Sequence, residues 1–417
     1  MNSMSSTKRA AYIAIVLFGI VSLLGDTVYE GARGIVPDYL YFLGASALIV
    51  GLASGLGEFL GYVVRLLSGE LADRTRAYWA FIFAGYGLIV TIPLLGFSLT
   101  WEIAVILIVL ERIGKGFRAP SRDTVLSIVS RELGPGKAFG IHELLDQVGA
   151  VLGPLIVAMV LLATADNYQL TFLVLGIPFL MLVASLGFTY SKVGSMRPPE
   201  VGQNDTQGEP DVSKRLGRPF YTYTVAVLLN TAGLVPAALI LFRASTVLQP
   251  QGLVWLVPIV YVVIQGVDAV VAPIAGLAFD RHGLKVLIVP FVLSVFPPLF
   301  LSSGAQLTDL FVASAFFGLV LGMQESTYRA AVSKFAPTKS RGRAYGIFNT
   351  AYGIAFLIAG AVYGAFIDFN TPFVVMLAFV IGMQALAVAA LTQVKDKRAA
   401  EAKMDTTETE ASDSSIG

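Results

Sequence analysis

The chain has 417 residues, of which 56% are hydrophobic and 14% are charged, and its formal net charge is +1. Soluble globular proteins carry about a quarter charged residues, so this composition indicates a membrane protein, and the near-neutral charge argues against nucleic-acid binding. The sequence contains no cysteine, which excludes disulfides, thiolate metal sites and cysteine nucleophiles.

Apolar segments long enough to span a bilayer recur along the whole chain. A bilayer core takes about 20 apolar residues per helix, and this criterion predicts an all-α membrane protein with twelve transmembrane helices. In chain order the predicted segments lie near residues 10–40, 45–70, 77–99, 101–126, 137–163, 169–190, 219–247, 252–279, 284–304, 306–332, 342–368 and 371–394. The first segment is longer than the apolar core of a signal peptide, so no cleavable leader is expected.

Two polar stretches divide the chain into predicted domains. Residues 193–218 and 395–417 are too polar for insertion and have the composition of solvated or disordered segments. We therefore predict a six-helix bundle over residues 1–192, a cytoplasmic linker over 193–218, a second six-helix bundle over 219–394, and a disordered cytoplasmic tail over 395–417.

Lysine and arginine occur in every second loop. The intervening loops, such as "FSLT", "ATADNYQL", "SSGAQLTD" and "IDFNTP", contain neither residue. Because basic loops stay on the cytoplasmic side, this asymmetry places both termini and the linker in the cytoplasm. We expect a multi-pass protein of the cell membrane. The basic residues behind this prediction include Arg74, Arg76, Arg118, Arg122, Arg281, Lys285, Lys334, Arg341 and Arg343.

One loop pattern occurs twice, 207 residues apart. The repeated residues are Gly69, Asp73 and Arg74 after segment 2, and Gly276, Asp280 and Arg281 after segment 8. Two homologous six-helix halves are a design of transporters, which bind their substrates near the midplane between the halves. A charge cluster that only sets the orientation would explain the basic residues, but not the paired glycines and aspartates.

The first loop, "GELADRTR", resembles the G-x-L-A-D-R-x-G-R-K motif of the major facilitator superfamily, with Thr75 where the family has glycine. The resemblance covers essentially the whole chain. It implies twelve helices in two pseudo-symmetric six-helix bundles, and it implies that the loop motif serves conformational change rather than substrate binding. From the residues alone, glycine permits close helix approach, and aspartate suits the positive N-terminus of a neighbouring helix.

Segments 4 and 5 carry two further motifs of that family. The sequence "LERIGKGFRAP" places Arg112 in the register of one of them. In segment 5, Gly149, Gly153 and Pro154 resemble the pattern of the proton-coupled antiporters, with Val157 and Ala158 where a pair of glycines is usual. These likenesses imply an antiporter similar to drug or metal-ion exporters of bacteria and archaea. From the residues alone, the two glycines form a helix-packing seam and the proline bends the helix.

Several polar and ionisable side chains lie inside the predicted segments, where charges are costly and usually face a cavity. In the family, segments 1, 4, 7 and 10 line the central cavity, which implies a substrate or proton pathway. Asp26 is the first choice for the coupling proton, because it lies near mid-depth and poor hydration favours a neutral carboxyl. Glu30 and Glu58 follow. The predicted pathway residues are Asp26, Glu30, Arg33, Glu58, Arg112, Lys115, Asn230, Arg243, Gln324 and Glu325.

The same charges have a structural interpretation as buried ion pairs, which proteins also use for packing specificity. The pairs considered are Glu30 with Arg33, Glu58 with Arg65, and Asp26 with Arg112. On segment 5, Glu143 and Asp146 are expected to contact arginines of segment 4 rather than substrate. His142 beside them lacks a full set of metal ligands.

No motif for phosphate, dinucleotide or nucleophilic chemistry occurs in a suitable context. We therefore expect a monomeric transporter rather than an enzyme, without cofactor or metal, whose partners are the bilayer, a small-molecule substrate and protons. The favoured function is proton-coupled efflux by antiport through alternating access. One alternative is proton-coupled uptake of a small organic anion. A remote alternative is a non-transporting receptor or scaffold, for which intramembrane charges would have little use.

Overall fold

The computed structural model describes residues 6–129, 135–194, 216–303, 306–336 and 340–394 of the chain. Within these residues the regular secondary structure is entirely helical. The predicted tail, 395–417, and most of the predicted linker, 193–218, lie outside the described residues.

Each half of the chain folds into a bundle of long and broken helices. The helices of the first half are α1 (Ser6–Phe42), α2 (Ala47–Thr75), α3 (Tyr78–Gly87), α4 (Thr91–Leu94), α5 (Trp101–Val129), α6 (Pro135–Thr164), α7 (Tyr168–Val174) and α8 (Gly176–Val193). Those of the second half are α9 (Arg218–Ala232), α10 (Ala237–Leu248), α11 (Leu256–His282), α12 (Ile288–Leu293), α13 (Phe296–Ser303), α14 (Leu307–Phe335), α15 (Arg341–Asp368) and α16 (Phe373–Thr392).

Ten stretches of the described residues are apolar and long enough to cross a membrane. One of them, Leu256–Leu301, contains 46 residues. Gly283 interrupts it with a backbone φ of 61°, so this stretch supplies two crossings. α5 is not among the ten because charged side chains occur along its length. With α5 included and the long stretch divided, the helices account for the twelve predicted crossings, although hydropathy alone finds ten.

The crossing formed by α9 and α10 is broken near its middle at residues 233–236. Pro236 has no N–H and cannot continue the hydrogen bonding of α9. The Tyr363 hydroxyl of α15 donates to the carbonyl oxygen of Gly233 at 2.7 Å. A backbone group exposed by the break is thereby satisfied from a neighbouring helix, as membrane proteins require.

The two halves are in contact along α2 and α15. A Cβ on Gly51 would collide with the backbone of Gly360, and the same holds in the opposite direction. Further along, a Cβ on Gly353 would lie 2.9 Å from the Cα of Phe59. Small residues at these positions let the two helix backbones approach closely. α6 and α11 form a second contact between the halves.

At one end of the bundle, which we call the sealed end, additional contacts join the halves. Tyr41 of α1 packs against Phe242 of α10, with ring centroids 5.3 Å apart. The Asp368 carboxylate, at the end of α15, accepts hydrogen bonds of 2.9 Å from the N–H groups of Ala47 and Leu48. A residue of the second half thus caps the N-terminus of α2 in the first half.

Towards the opposite end, the open end, solvent enters between the halves. Glu325 of α14 is exposed, although it lies within electrostatic reach of Glu143 and Lys115 of the other half. We infer from these two observations that the space between the halves, which we call the cleft, is open at this end. Arg329, one turn further along α14, is also exposed.

Candidate functional site

Arg33 of α1 is the centre of an ion-pair network that joins three helices of the first half. Its Nη1 atom lies 3.2 Å from Oε1 of Glu30, and its Nη2 atom lies 2.5 Å from Oε1 of Glu58 on α2. Arg112 of α5 reaches the same Glu58 oxygen at 3.5 Å. Because two arginines share one carboxylate, a change of charge at Glu58 acts on both.

The network continues into a buried pair that was not predicted. Glu111 of α5 is 3% exposed; its Oε1 lies 3.3 Å from Nη2 of Arg118, and its Oε2 lies 3.6 Å from Nε of Arg112. Arg118 also donates to the carbonyl oxygen of Gly85 at 3.3 Å. A signal for this pair was present, because Glu111 and Arg118 are seven residues apart on one helix and therefore share a face.

Tyr261 of α11 connects the network to the second half. Its hydroxyl donates a hydrogen bond to Oε2 of Glu30, whose other oxygen faces Arg33. A tyrosine in an apolar segment carries no distinguishing signal in a sequence, so this contact was not predicted. This hydrogen bond crosses the boundary between the halves. A rocking motion of the halves would therefore either break it or require Tyr261 and Glu30 to move together.

Asp26 and Lys115 lie beside the network, and neither has an ion-pair partner within 4 Å among the described residues. Lys115 donates to the Tyr29 hydroxyl at 2.8 Å, and its Nζ lies 4.4 Å from the ring centroid. Asp26 packs against Gly149, where a Cβ would lie 3.0 Å from the Cβ of Asp26. The pair of Asp26 with Arg112, considered from the sequence, is therefore not formed in this conformation.

Of the three structural pairs considered, only Glu30 with Arg33 is formed in the described residues. Glu58 pairs with two other arginines instead of Arg65. The Arg65 guanidinium lies 5.6 Å from the ring centroid of Tyr62. Spacing along one helix predicted the pair within α1 correctly, but the crossing of α1, α2 and α5 selects the partner of Glu58.

In the second half, a network of neutral side chains is centred on Asn230 of α9. Its amide nitrogen donates to Oε1 of Gln384 at 2.7 Å and to Oγ of Ser294 at 3.1 Å. Its amide oxygen accepts from the Tyr328 hydroxyl at 2.6 Å and from Nε2 of Gln324 at 3.2 Å. All four hydrogen-bonding positions of the buried Asn230 amide are thus occupied by the protein.

Arg243 and Glu325 lie apart from this neutral network. Arg243 is on α10, and its Nη1 atom lies 3.4 Å from the Thr246 hydroxyl. Glu325 faces the cleft, whereas the adjacent Gln324 is buried in the Asn230 network. The predicted pathway residues therefore form a charged group, a neutral group and separate side chains in this conformation.

The two copies of the loop motif differ in their side-chain contacts. In the first copy, Asp73 accepts a 2.9 Å hydrogen bond from the Tyr78 hydroxyl, and Arg74 pairs with a glutamate of its own helix. All four side chains are exposed, but in the second copy Asp280 and Arg281 form no side-chain hydrogen bond or ion pair among the described residues. The side chain of Asp73 thus contacts Tyr78, the first residue of α3, whereas Asp280 has no such contact in the described residues.

The copies share a positive φ at the end of the helix but differ in ψ. Arg76 ends α2 with a φ of 56° and a ψ of 18°, and Gly283, 207 residues later, ends α11 with a φ of 61° and a ψ of −141°. Positive φ favours glycine, so Arg76, and not Thr75 as expected from the sequence, stands where the motif and the second half have glycine. A Cβ on Gly69 would lie 3.4 Å from a proline of α5, and one on Gly276 would lie 4.0 Å from a serine of α14.

Gly149, Gly153 and Pro154 lie on the face of α6 that packs against α1. A Cβ on Gly149 would collide with the carbonyl oxygen of Leu23, and one on Gly153 with that of Thr27. Only glycine allows the two backbones to come this close. The geometry agrees with the helix-packing interpretation of this motif. The close contact between α1 and α6 also holds Asp26 against Gly149.

Closer to the start of α6, Asp146 lies 3.8 Å from Nη1 of Arg122, which is the expected contact with an arginine of segment 4. His142 lies 3.6 Å from Asp146 and 3.3 Å from the Ser22 hydroxyl. Glu143 is exposed. In the part of the chain that the structure describes, no group of three such side chains is arranged to hold a metal ion.

The model of the Major Facilitator Superfamily matches residues 11–360 and 220–412 of this sequence. The chain belongs to the major facilitator superfamily. It is therefore a multi-pass membrane protein, and the members of this family are transporters rather than enzymes.

Relatives and solved structures share its length and fold. The chain is 34% identical over 398 residues to an uncharacterized protein of Mycobacterium tuberculosis, covering 93% of this chain and 95% of the relative. It is 25% identical over 355 residues to an uncharacterized MFS-type transporter of Methanocaldococcus jannaschii, covering 84% and 87%. A mutant form of the nucleoside transporter NupG superposes with a TM-score of 0.74 at 13% identity, covering 90% of this chain and 99% of that one.

A POT family transporter in complex with 5-aminolevulinic acid gives a TM-score of 0.71 at 14% identity, covering 91% of this chain and 94% of that one. At such identities the structural similarity establishes the fold alone.

Proposed function

We propose that the protein is a secondary active transporter that works by alternating access and exports a small solute in exchange for protons. The observation that carries this proposal is an asymmetry between the two ends of the bundle. Contacts between the halves close the sealed end, whereas a solvent-accessible cleft exposes Glu325 and Arg329 at the other. A transporter of this fold needs such an asymmetry, because its site opens to one side at a time.

The distribution of basic residues supports a cytoplasmic opening of the cleft. The loops at the sealed end contain neither lysine nor arginine, whereas Arg74, Arg281 and Arg341 lie at the open end. Basic loops remain cytoplasmic during insertion. We therefore infer a cell-membrane protein with a cytoplasmic N-terminus and C-terminus, in which the cleft receives its solute from the cytoplasm.

Protonation of Asp26 is the proposed coupling event in the first half. Asp26 is not bound to an arginine within 4 Å, unlike Glu30 and Glu58, and Lys115 and Arg122 lie within electrostatic reach. A proton on Asp26 removes one negative charge from this region. Only a difference in affinity between the two conformations shifts their equilibrium, so proton and solute must act on the same charged face.

Reconstituted full-length protein in vesicles tests the proposal. The probe is a fluorescent lipophilic cation, chosen by its ability to raise the thermal stability of the purified protein. We expect the cation and protons to move in opposite directions in the wild type, and Asp26→Asn to abolish this coupling. Asp309→Asn, at the start of α14, is the matched control. Undiminished coupling in Asp26→Asn would reject the assignment of Asp26.

Uptake of a small organic anion is the second candidate, and one observation favours it. Lys115 and Arg65 have no carboxylate within 4 Å among the described residues, so an anionic solute would supply a missing partner. The same vesicles separate the two functions, because a symporter moves protons and anion in the same direction. A non-transporting receptor would produce neither movement.

A further inference from the structure

Asp268 is a buried carboxyl that the ion-pair network does not include. It lies on α11 and is 1% exposed, and its Oδ1 atom has no hydrogen-bond partner among the described residues. None of the ion pairs in these residues involves Asp268. An ionised carboxylate in such a place would be strongly unfavourable, because it has lost its water and gained no cation.

The charged groups around Asp268 do not compensate a negative charge. The side chain of Gln147 on α6 forms a hydrogen bond with Asp268, but the titratable groups that act on it most strongly are Glu143 on α6, Glu325 on α14 and Glu30 on α1. All three are acids. An ionised Asp268 would therefore meet only negative charges from each of these packed helices.

The backbone of α14 closes the site on one side. A Cβ on Gly322 would lie 3.1 Å from Oδ1 of Asp268 and 2.9 Å from its carbonyl oxygen. On the side of α6, the Oε1 atom of Gln147 is a second buried acceptor without a hydrogen-bond partner. The site thus holds two buried acceptor oxygens, Oδ1 of Asp268 and Oε1 of Gln147, that have no donor among the described residues, a situation that native proteins rarely leave uncorrected.

We propose that Asp268 is a proton-binding site on the contact between α6 and α11, and that it holds a proton in this conformation. The proton supplies the donor that the two buried oxygens lack. The carboxylate binds this proton from water before α6 closes on α11, retains it while the contact lasts, and releases it to water when the halves rock and α6 separates from α11. This inference rests on the proposed transport function, because it gives the coupling proton a place in the second half.

Infrared spectroscopy of the purified full-length protein tests the proposal with the proton itself as the probe. A protonated carboxyl has its own carbonyl stretching band. We expect the wild type to show this band at neutral pH, Asp268→Asn to lose it, and Asp268→Glu to shift it. Asp309→Asn and Asp26→Asn are expected to retain it. A wild-type spectrum without the band, or an unchanged band in Asp268→Asn, would overturn the assignment.

The vesicle assay adds a second readout that does not depend on the spectrum. Asp268→Asn is expected to lose proton movement driven by the lipophilic cation. It is expected to keep the exchange of cation across the membrane when the cation concentrations inside and outside the vesicles are equal, because this exchange needs no net proton movement. Proton-coupled transport at the wild-type rate in Asp268→Asn would contradict the coupling role. If the wild type moves no protons, the proposed function fails, and the infrared band still decides whether Asp268 holds a proton.

Discussion

In the first half of the molecule, Arg33, Arg112 and Arg118 lie among carboxylates that they share, whereas in the second half Asn230 is enclosed by neutral amides and hydroxyls. The two halves repeat one loop pattern and end the preceding helix with a positive φ, yet their interiors differ in chemistry. The loop pattern is thus common to both halves, whereas the side chains between the helices differ.

The difference indicates which half responds to charge. A shared carboxylate such as Glu58 can redistribute between Arg33 and Arg112 when a proton or a charged solute arrives. The Asn230 amide has no free position for a new partner, so its network serves as a rigid support. Asp268 is the exception in the second half, and it lies where that half meets the first.

The largest effect is expected from Glu111→Gln, which removes the shared carboxylate of Arg112 and Arg118. Breaking a buried ion pair by neutralising one partner costs about 3–5 kcal/mol, because the remaining charge is uncompensated. Thermal unfolding in detergent measures the loss. The matched control is Glu70→Gln, since Glu70 pairs with Arg74 at an exposed position, where such a pair contributes only about 0.3–0.5 kcal/mol. Equal losses in the two variants would contradict a buried network.

A smaller effect is expected from Asn230→Ala in the neutral network. The substitution leaves buried partners such as Gln384 and Tyr328 unsatisfied, at about 1–3 kcal/mol. Because no charge is removed, we expect the ratio of protons to solute in the vesicle assay to stay unchanged while stability falls. Thr222→Ala, at an exposed position of the same helix, is the control for stability. A changed proton ratio in Asn230→Ala would give the second half a direct part in coupling.

The smallest effect concerns the repeated helix ending. Arg76→Gly is expected to stabilise the protein by less than about 1 kcal/mol, because a side chain in the left-handed region is strained and glycine is not. Gly283→Ala should act in the opposite direction, since a φ of 61° with a ψ of −141° lies close to a region reserved for glycine. Unfolding curves of both variants give the comparison. A stabilising Gly283→Ala would contradict a backbone conformation that requires glycine at this position.

Much of the fold follows from the sequence, because hydrophobic length and loop charge are local properties. The segments, the repeat of Gly69 and Gly276, and the close packing at Gly149 and Gly153 were all readable as patterns of single helices. The helix α5 did not meet the hydropathy criterion for a membrane-spanning helix, because its buried charged side chains lower its mean hydropathy.

The site was less predictable, because partners are chosen by the crossing of different helices. Nothing along α2 indicates that Glu58 pairs with Arg33 rather than with Arg65. Tyr261 and Gln384 are uncharged, so their roles become visible only when the helices are assembled. Asp268 is an acid inside the eighth predicted segment, but the absence of a cation beside it among the described residues is a property of the packed structure.

Side-specific thiol labelling tests alternating access most directly, because the natural chain has no cysteine and any introduced thiol is unique. Glu143→Cys reports on the cleft, and Phe242→Cys reports on the sealed end, where the native side chain is 5% exposed. In membrane vesicles, impermeant reagent should label the cleft from the cytoplasmic side and the sealed end from the opposite side. Solute or a change of acidity should raise one rate while it lowers the other. Two rates that stay constant under every condition would contradict the account.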